Sequence, residues 1–381
     1  MTTIRTPTSS WSYLASAAAL PLRSTMLLGR GQAPFAAAVA CAAVQTMLAA
    51  LTTMRVGGPA SEFEVARTSE QLVALIRGAD AEGKPVLVMG GGSNLVVGDQ
   101  GFKGLVVKVA TSRMKIHAED LTVDAGVEWD TVVETSLDAG LAGLEPLSGI
   151  PGTAGGTPVQ NVGAYGALTS ELLHHLTVYD RLTGAVERWA PDRCGFGSHR
   201  QSVFKHTDRY VVLDVTFHLT RSTQSDPIHY TALAERLAIA PSATAPTRQV
   251  REAVLALRRE RGMILDADDH DTWSVGSFFI NPVLTFVPDK ARHCPQYPDP
   301  AGIKLSAAWL IDHAGFPRGY GRDRNRGAVA LSSKHTLAVT NRGTATTAEV
   351  MEFAAHIRDG VEQRFDIRLG PECDLVNCKF G

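Results

Sequence analysis

The feature that most constrains this chain is the stretch Gly149–Gly166, which reads GIPGTAGGTPVQNVGAYG. Glycine and proline recur so closely here that neither a long helix nor a strand interior can form. Few side chains remain to fill a core, and long turn-rich segments inside regular sequence are commonly functional. We interpret the stretch as lying along a bound ligand, with Gln160 and Asn161 supplying donors and acceptors to a planar heterocycle. A plain connecting loop is the alternative.

A second glycine cluster follows a short apolar run. Val86–Met89 predicts a buried strand that leads directly into Gly90, Gly91, Gly92, Ser93 and Asn94. Glycines at the end of a strand let backbone N–H groups approach a phosphate without obstruction by Cβ. The spacing is neither a Walker loop nor a GxGxxG fingerprint. Taken alone, the cluster indicates a phosphate-binding turn or a structural turn.

Hydrophobic periodicity predicts mixed helix and strand, which is an α+β pattern. The predicted helices are 69–81 with Ser69 as N-cap, 129–139, 247–261, 306–314, and 346–365 with a Thr346/Glu349 capping box. The predicted strands are 62–67, 86–89, 105–109, 121–124, 176–181, 210–219, 329–331, 337–339 and a final strand that carries Glu372. Residues 222–246 are expected to form a loop or insertion.

Length and composition exclude several classes of protein. A chain of 381 residues with 44% hydrophobic residues is globular and long enough for two or three domains. A net charge of −2 argues against a general polyanion binder. The cysteines are 5 in number, scattered and without a CxxC pair, so neither a disulfide framework nor a structural zinc site is expected. This usage predicts a reducing cytoplasm.

Residues 1–61 contain no Asp or Glu and are rich in Ala, Ser and Thr. Such segments are typical of targeting peptides. We expect residues 1–50 to be a leader, disordered or targeting, with a non-native leader before a start near Met47 and a functional segment as alternatives. The apolar run 33–51 is mostly alanine and too weakly hydrophobic to predict a membrane span.

Three isolated side chains are further candidates. Arg200, between aromatic and apolar neighbours, suits a carboxylate ligand, although a surface ion pair explains it equally well. Ser277 follows Gly276 and can give or take a proton, but no Asp-His partner supports a hydrolase triad. Glu372 matters only if the fold brings it to the same pocket. The acidic run 266–271 is expected to be an exposed loop rather than a metal site.

In this order, the segments resemble the UDP-N-acetylenolpyruvoylglucosamine reductases, flavoenzymes of bacterial peptidoglycan precursor synthesis. The resemblance runs from Thr52 to Val376. It implies a two-lobed FAD-binding domain of the vanillyl-alcohol-oxidase type and a C-terminal α+β substrate-binding domain. The implied boundaries are 51–112 for lobe 1, 113–246 with the terminal strand 368–378 for lobe 2, and 247–367 for the substrate domain.

The resemblance also implies the site. Arg200 would stabilise charge, Ser277 would donate a proton and Glu372 would be the acidic partner. Tyr230 would be a lid tyrosine, and Arg261 and Asn281 would contact the substrate. The residues implied to hold FAD are Gly90, Gly91, Gly92, Ser93, Asn94, Gly149, Ile150, Gly152, Thr153, Gly155, Gln160, Asn161, Gly163 and Ala164. No metal is expected.

The chain departs from the family pattern in a few places. His199 stands where a tyrosine usually precedes the catalytic arginine, with Ser198 inserted before it. Ile280 replaces a commonly polar or cationic residue, and Arg261 falls where lysine is more usual. These changes bear most on the placement of Arg200.

The implied activity is NADPH-dependent reduction of a nucleotide-sugar by a cytoplasmic monomer that binds neither nucleic acid nor membrane. One alternative is another FAD-dependent oxidoreductase of the same fold, such as a carbohydrate oxidase. The other is a non-catalytic homologue that binds flavin or nucleotide-sugar without turnover.

Overall fold

A computed structural model describes residues 45–197 and 201–380. The helices are α1 (Ser69–Ala81), α2 (Trp129–Asp138), α3 (Gly156–Val159), α4 (Thr169–Leu172), α5 (Thr231–Leu237), α6 (Thr247–Glu260), α7 (Ala307–His313) and α8 (Thr347–Phe365). The strands are β1 (Ala60–Ala66), β2 (Val86–Met89), β3 (Leu95–Val97), β4 (Phe102–Val109), β5 (Met114–His117), β6 (Asp120–Asp124), β7 (Leu141–Ala142), β8 (Gly163–Ala164), β9 (Ala167–Leu168), β10 (Leu173–Asp180), β11 (Val186–Trp189), β12 (Tyr210–His218), β13 (Thr220–Arg221), β14 (Val283–Leu284), β15 (Gln296–Asp299), β16 (Gly302–Leu305), β17 (Val329–Leu331), β18 (Val339–Asn341) and β19 (Asp374–Val376).

Most of the predicted leader falls outside the described residues, and so does Arg200. The last part of that leader is packed, however. Leu48–Leu51 form a 3₁₀ turn, Leu48 is fully buried, and Met47 bridges to Pro59. The packed structure therefore begins before residue 51, because Leu48 fills part of a small core under β3 and β4.

The first sheet is parallel, in the order β1–β4–β2. Helix α1 returns the chain from β1 to β2, as the spacing of its apolar residues predicts, and buries Leu72 and Ile76. The N-cap is Thr68 rather than Ser69, because the Thr68 side chain accepts a hydrogen bond from the Gln71 N–H.

The second sheet is antiparallel, in the order β11–β10–β12–β6–β5. Helix α2 covers it, and Trp129 meets Phe217 edge to face with ring centroids 5.5 Å apart. The predicted C-terminal glycine of this helix is confirmed, since Gly140 has φ +72° directly after the C-cap residue. Both sheets contribute to one hydrophobic core.

The segment 222–246, expected to be a loop, contains helix α5. It is held because Leu233 is fully buried against Val250 and Val254 of α6. A helix of this length is marginal alone, so its packing on α6 rather than its own periodicity stabilises it. Helix α6 itself follows the predicted pattern.

The C-terminal part packs α7 and α8 around the β17–β18 hairpin. The predicted capping box of α8 is confirmed, with Thr346 and Glu349 exchanging hydrogen bonds. The second hairpin strand begins at Val339 instead of 337, because the Leu337 carbonyl accepts a hydrogen bond from the Phe278 N–H.

The terminal strand differs from its prediction in two ways. β19 begins at Asp374, so Glu372 precedes it rather than lying within it. It pairs in parallel with β3, which belongs to the first predicted lobe and not to the second. No helix in the described part of the chain is long and apolar enough to cross a membrane. The cysteines described there are free thiols.

Candidate functional site

A cavity of about 780 Å³ lies among both sheets and the C-terminal part. The residues at its wall include both glycine segments, the end of α6, and the chain around Ser277 and Glu372. The predicted site residues that line it are Gly90, Gly91, Gly92, Ser93, Asn94, Ile150, Gly152, Thr153, Gly155, Gln160, Gly163, Ala164, Tyr230, Arg261, Ser277, Asn281 and Glu372.

Two predicted residues lie beside the cavity instead. The Gly149 N–H donates to Asp130 Oδ1 at 2.6 Å, and the Gly149 carbonyl accepts from Arg258 Nε at 3.1 Å. Asn161 is buried, and its Oδ1 accepts from the Ser170 N–H at 3.2 Å. Both fix the shape of the loop, while Arg200 lies outside the described residues.

The two glycine segments touch each other along the cavity wall. A Cβ on Gly91 would lie 2.6 Å from the Gly152 Cα, and one on Gly90 would lie 2.4 Å from Thr153 Oγ1. Gly92 has φ +65°, which favours glycine, and a Cβ there would lie 2.0 Å from the Leu51 carbonyl oxygen. The two segments therefore pack closely at this part of the wall, with backbone against backbone at Gly91 and Gly152, and such a surface suits the pyrophosphate and ring of a dinucleotide.

Ser277 and Glu372 come together because the chain segments that carry them are joined by backbone hydrogen bonds. The Glu372 N–H donates to the Phe278 carbonyl at 2.8 Å, and the Ile280 N–H donates to the Gly370 carbonyl at 3.0 Å. Phe278 is fully buried and fixes the segment in the core. A hydroxyl and a carboxylate far apart in sequence thus share one cavity.

Asn94 joins this pair to the glycine wall. Its Nδ2 donates to the Glu372 carbonyl at 3.5 Å, and its own carbonyl accepts from the Asp374 N–H at 2.9 Å. Thr53 adds a second link, since its Oγ1 donates to the Ser274 carbonyl at 2.7 Å. The segments that carry Ser277 and Glu372 and the glycine wall therefore form one connected frame.

Asp374 is a site residue that the sequence did not single out. Its Oδ2 accepts from Gln160 Nε2 at 2.8 Å, and both residues line the cavity. Burial raises the pKa of Asp374. This contact fixes which end of the Gln160 amide faces the cavity. Only the pairing of β19 with β3 brings Asp374 there.

An aromatic pair flanks another part of the cavity. Tyr230 is 37% exposed and meets Tyr165 edge to face, with ring centroids 5.3 Å apart. Burial raises the pKa of Tyr165, whose hydroxyl also contacts Arg261. Asn281 also lines the cavity, and its Oδ1 accepts a hydrogen bond from the Ala307 N–H at 2.9 Å.

His335 is a second residue that sequence reasoning missed. It lines the cavity, and its Nδ1 accepts from the Leu337 N–H at 3.2 Å, which places the ring proton on Nε2. Burial, with the positive charges of Arg261 and Arg318, lowers its pKa to about 4. At neutral pH the ring is therefore an uncharged donor toward the cavity.

This pKa predicts a pH dependence of stability. Between pH 6.5 and about 4 the unfolded chain binds a proton on His335 and the folded chain does not. The free energy of unfolding therefore falls as pH falls through this interval, and His335→Gln should reduce that slope. Urea unfolding across the interval measures it, with the exposed His293→Gln as control. Equal slopes in wild type and His335→Gln would contradict the assignment.

The acidic run 266–271 is not wholly exposed, which corrects the expectation. Asp271 is buried, and its carboxylate accepts from the hydroxyls of Ser332 and Ser333 and from Arg342 Nη1. These donors hold the pKa of Asp271 below its usual range despite burial, which acts in the opposite direction. The residue supports the cavity wall as a structural anion.

Two family models match separate parts of this chain. Residues 60–189 match the model of an FAD binding domain, and residues 268–376 match that of the UDP-N-acetylenolpyruvoylglucosamine reductase C-terminal domain. The chain is 52% identical over 350 residues to UDP-N-acetylenolpyruvoylglucosamine reductase of Nocardia farcinica, covering 87% of this chain and 89% of that protein. The enzyme of the same name from Thermobifida fusca is 48% identical, with 86% and 96% covered.

A solved structure agrees with these relatives. The crystal structure of UDP-N-acetylenolpyruvylglucosamine reductase from Thermus caldophilus superposes with a TM-score of 0.61 at 25% identity. The match covers 87% of this chain and 98% of that one.

Proposed function

The chain belongs to the UDP-N-acetylenolpyruvoylglucosamine reductase family, and from this premise we propose how its residues perform that reduction. The enzyme converts UDP-N-acetylenolpyruvoylglucosamine to UDP-N-acetylmuramate in peptidoglycan precursor synthesis, with FAD as cofactor and NADPH as reductant. The observation that carries the proposal is the single cavity in which the glycine wall faces Ser277 and Glu372.

The glycine wall fits FAD. Gly91 and Gly152 approach so closely that a Cβ on Gly91 would lie 2.6 Å from the Gly152 Cα. We assign the pyrophosphate to Gly90–Asn94 and the isoalloxazine ring to the segment from Gly152 to Ala164, with the Gln160 amide fixed by Asp374. When bound there, FAD would supply the hydride-transfer chemistry between NADPH and the terminal methylene of the enolpyruvyl group.

Charge stabilisation falls to Arg200 and Glu372. Hydride addition to the methylene leaves an electron pair that spreads onto the substrate carboxylate as an enolate. A fixed guanidinium beside that carboxylate stabilises the developing charge, and removal of such a preorganised donor costs roughly 3–4 kcal/mol of barrier. We assign Glu372 as the acidic partner of Arg200 in this step, because it lines the same cavity.

Ser277 completes the reaction. We assign it as the general acid whose Oγ–H protonates the carbon next to the carboxylate, which quenches the enolate. The rigid frame around Phe278 and Glu372 suits this role, because a general acid must be held within reach of one atom. Water is excluded from the reacting carbon when the substrate fills the cavity.

The rest of the substrate contacts the cavity mouth. We assign Tyr230 as a lid over the nucleotide-sugar, because it is partly exposed and supported by Tyr165. Arg261 and the amide nitrogen of Asn281 would hold the diphosphate and sugar. We further propose that the protein is a monomer and that it is cytoplasmic; the free thiols of the described cysteines favour the cytoplasmic location.

Product analysis tests the function. Purified protein should be yellow, and NADPH oxidation should require UDP-N-acetylenolpyruvoylglucosamine and yield UDP-N-acetylmuramate in equal amounts. Oxygen consumption with a sugar, without demand for NADPH, would instead identify an oxidase. Binding of the nucleotide-sugar by a yellow protein without any turnover would identify a non-catalytic homologue.

A further inference from the structure

Three metal-ligating side chains converge at the end of the second sheet that is remote from the cavity. Asp120 begins β6, His174 lies near the start of β10, and His218 ends β12. The opposite end of β12, from Tyr210 to Val212, lines the cavity. The cluster is thus separated from the proposed active site by the length of one strand.

The cluster is compact. Asp120 Oδ1 lies 2.8 Å from His218 Nδ1 and 3.3 Å from His174 Nδ1. The two imidazole rings have centroids 5.7 Å apart and are inclined by 64°. All the ligand atoms lie within 4.8 Å of one another. Each ring therefore presents a nitrogen to the same carboxylate oxygen.

The backbone under the cluster is rigid. Each of the three residues has a sequence neighbour that is buried in the core. These neighbours are Leu121, Leu173 and Phe217. The pairing of β10 with β12 changes register between Leu173 and His175, so His174 is the extra residue of a β-bulge. Bulges commonly redirect a side chain, and here the redirected imidazole faces its neighbour on β12.

We propose that Asp120, His174 and His218 bind one divalent metal ion that is intermediate between hard and soft, such as Zn²⁺, which serves as the probe. Imidazole nitrogen with carboxylate oxygen is a donor set that zinc accepts, with water as the fourth ligand. Zinc bonds of about 2.1 Å place tetrahedral ligand atoms about 3.4 Å apart. The His174 distance of 3.3 Å already matches, and the His218 distance of 2.8 Å has to lengthen by about 0.6 Å.

The two other histidines near the cluster, His175 and His117, are not among its three ligands. His175 is engaged elsewhere, since its Nδ1 lies 2.9 Å from Arg188 Nη2. His117 pairs with Asp120 across the β5–β6 hairpin and is exposed. A bound ion would cross-link β6, β10 and β12, so its effect is on stability rather than on the remote reduction. The inference is independent of the proposed function.

Zinc titration of the untagged, FAD-loaded protein tests the site. Calorimetry should show one saturable equivalent of Zn²⁺, and the ion should raise the Tm. Asp120→Asn and His218→Gln should each weaken binding at least about tenfold, while the exposed His293→Gln should bind as wild type does. Unchanged reductase turnover without zinc confirms that the variants are folded.

Two results would overturn the proposal. Either wild type shows no saturable equivalent, or the Asp120 and His218 variants bind zinc as tightly as wild type. In both cases the three residues form only a hydrogen-bonded surface cluster. A separate His174→Gln variant tests the third ligand. Zinc binding should weaken in this variant as it does in the other two, and unchanged binding would contradict a site of three ligands.

Discussion

Ser277→Ala is expected to slow the substrate-dependent half-reaction by about 10²–10⁴-fold, the usual contribution of a positioned general acid. Reduction of the bound flavin by NADPH should proceed near the wild-type rate, because no carbon of the substrate is protonated in that step. Anaerobic stopped-flow measurements separate the two half-reactions through the colour of the flavin.

Ser274→Ala is the matched control for this variant. Ser274 is a buried serine on the same segment, and its Oγ accepts from the Gly276 N–H at 3.1 Å. Its loss should affect stability more than the ratio of the two half-reactions. Equal slowing of both half-reactions by Ser277→Ala would reject Ser277 as the proton donor.

Gly91→Ala is expected to cost the protein its flavin. The added Cβ would lie 2.6 Å from the Gly152 Cα. Because the nearest atoms are all backbone atoms of Gly152, which cannot rotate away as a side chain can, the two segments of the wall have to separate. We expect colourless protein after purification and a free energy of unfolding lower by about 1–3 kcal/mol, as for other overpacked sites. Absorption spectra, flavin titration and urea unfolding measure these effects.

Gly78→Ala provides the control, because Gly78 lies at an exposed position of helix α1 and a Cβ there meets nothing within 4 Å. This variant should keep its flavin and gain about 0.5–1 kcal/mol of stability. A yellow Gly91→Ala protein with wild-type flavin affinity would show that the narrow wall is not what binds the cofactor.

Local patterns predicted the longer elements of this fold well. Helix α6 follows from the spacing of Val250, Val254 and Leu257, and α8 from its capping box. Several strands of two to four residues, such as β14, are too short to show alternation and were not predicted, whereas β2 and β17, which are equally short, were predicted from continuous apolar runs. Helix α5 was predicted as a loop because its stability comes from contact with α6.

The site was predicted only as far as its motifs are contiguous. The glycine segments are recognisable in the sequence as contiguous motifs. The family resemblance connected them with Ser277 and Glu372. The hydrogen bond between the Glu372 N–H and the Phe278 carbonyl depends on tertiary pairing that no local pattern records. The same holds for Asp374 and His335, which reach the cavity through the β19–β3 pairing and the turn before β18.

The most direct test of the account is a crystal structure of the FAD-loaded protein with UDP-N-acetylenolpyruvoylglucosamine bound. We predict the flavin against the wall formed by Gly91 and Gly152, the substrate carboxylate between Arg200 and Glu372, and Ser277 Oγ beside the carbon that receives the proton. An enolpyruvyl group bound out of reach of Ser277, or a flavin bound away from the glycine wall, would contradict it.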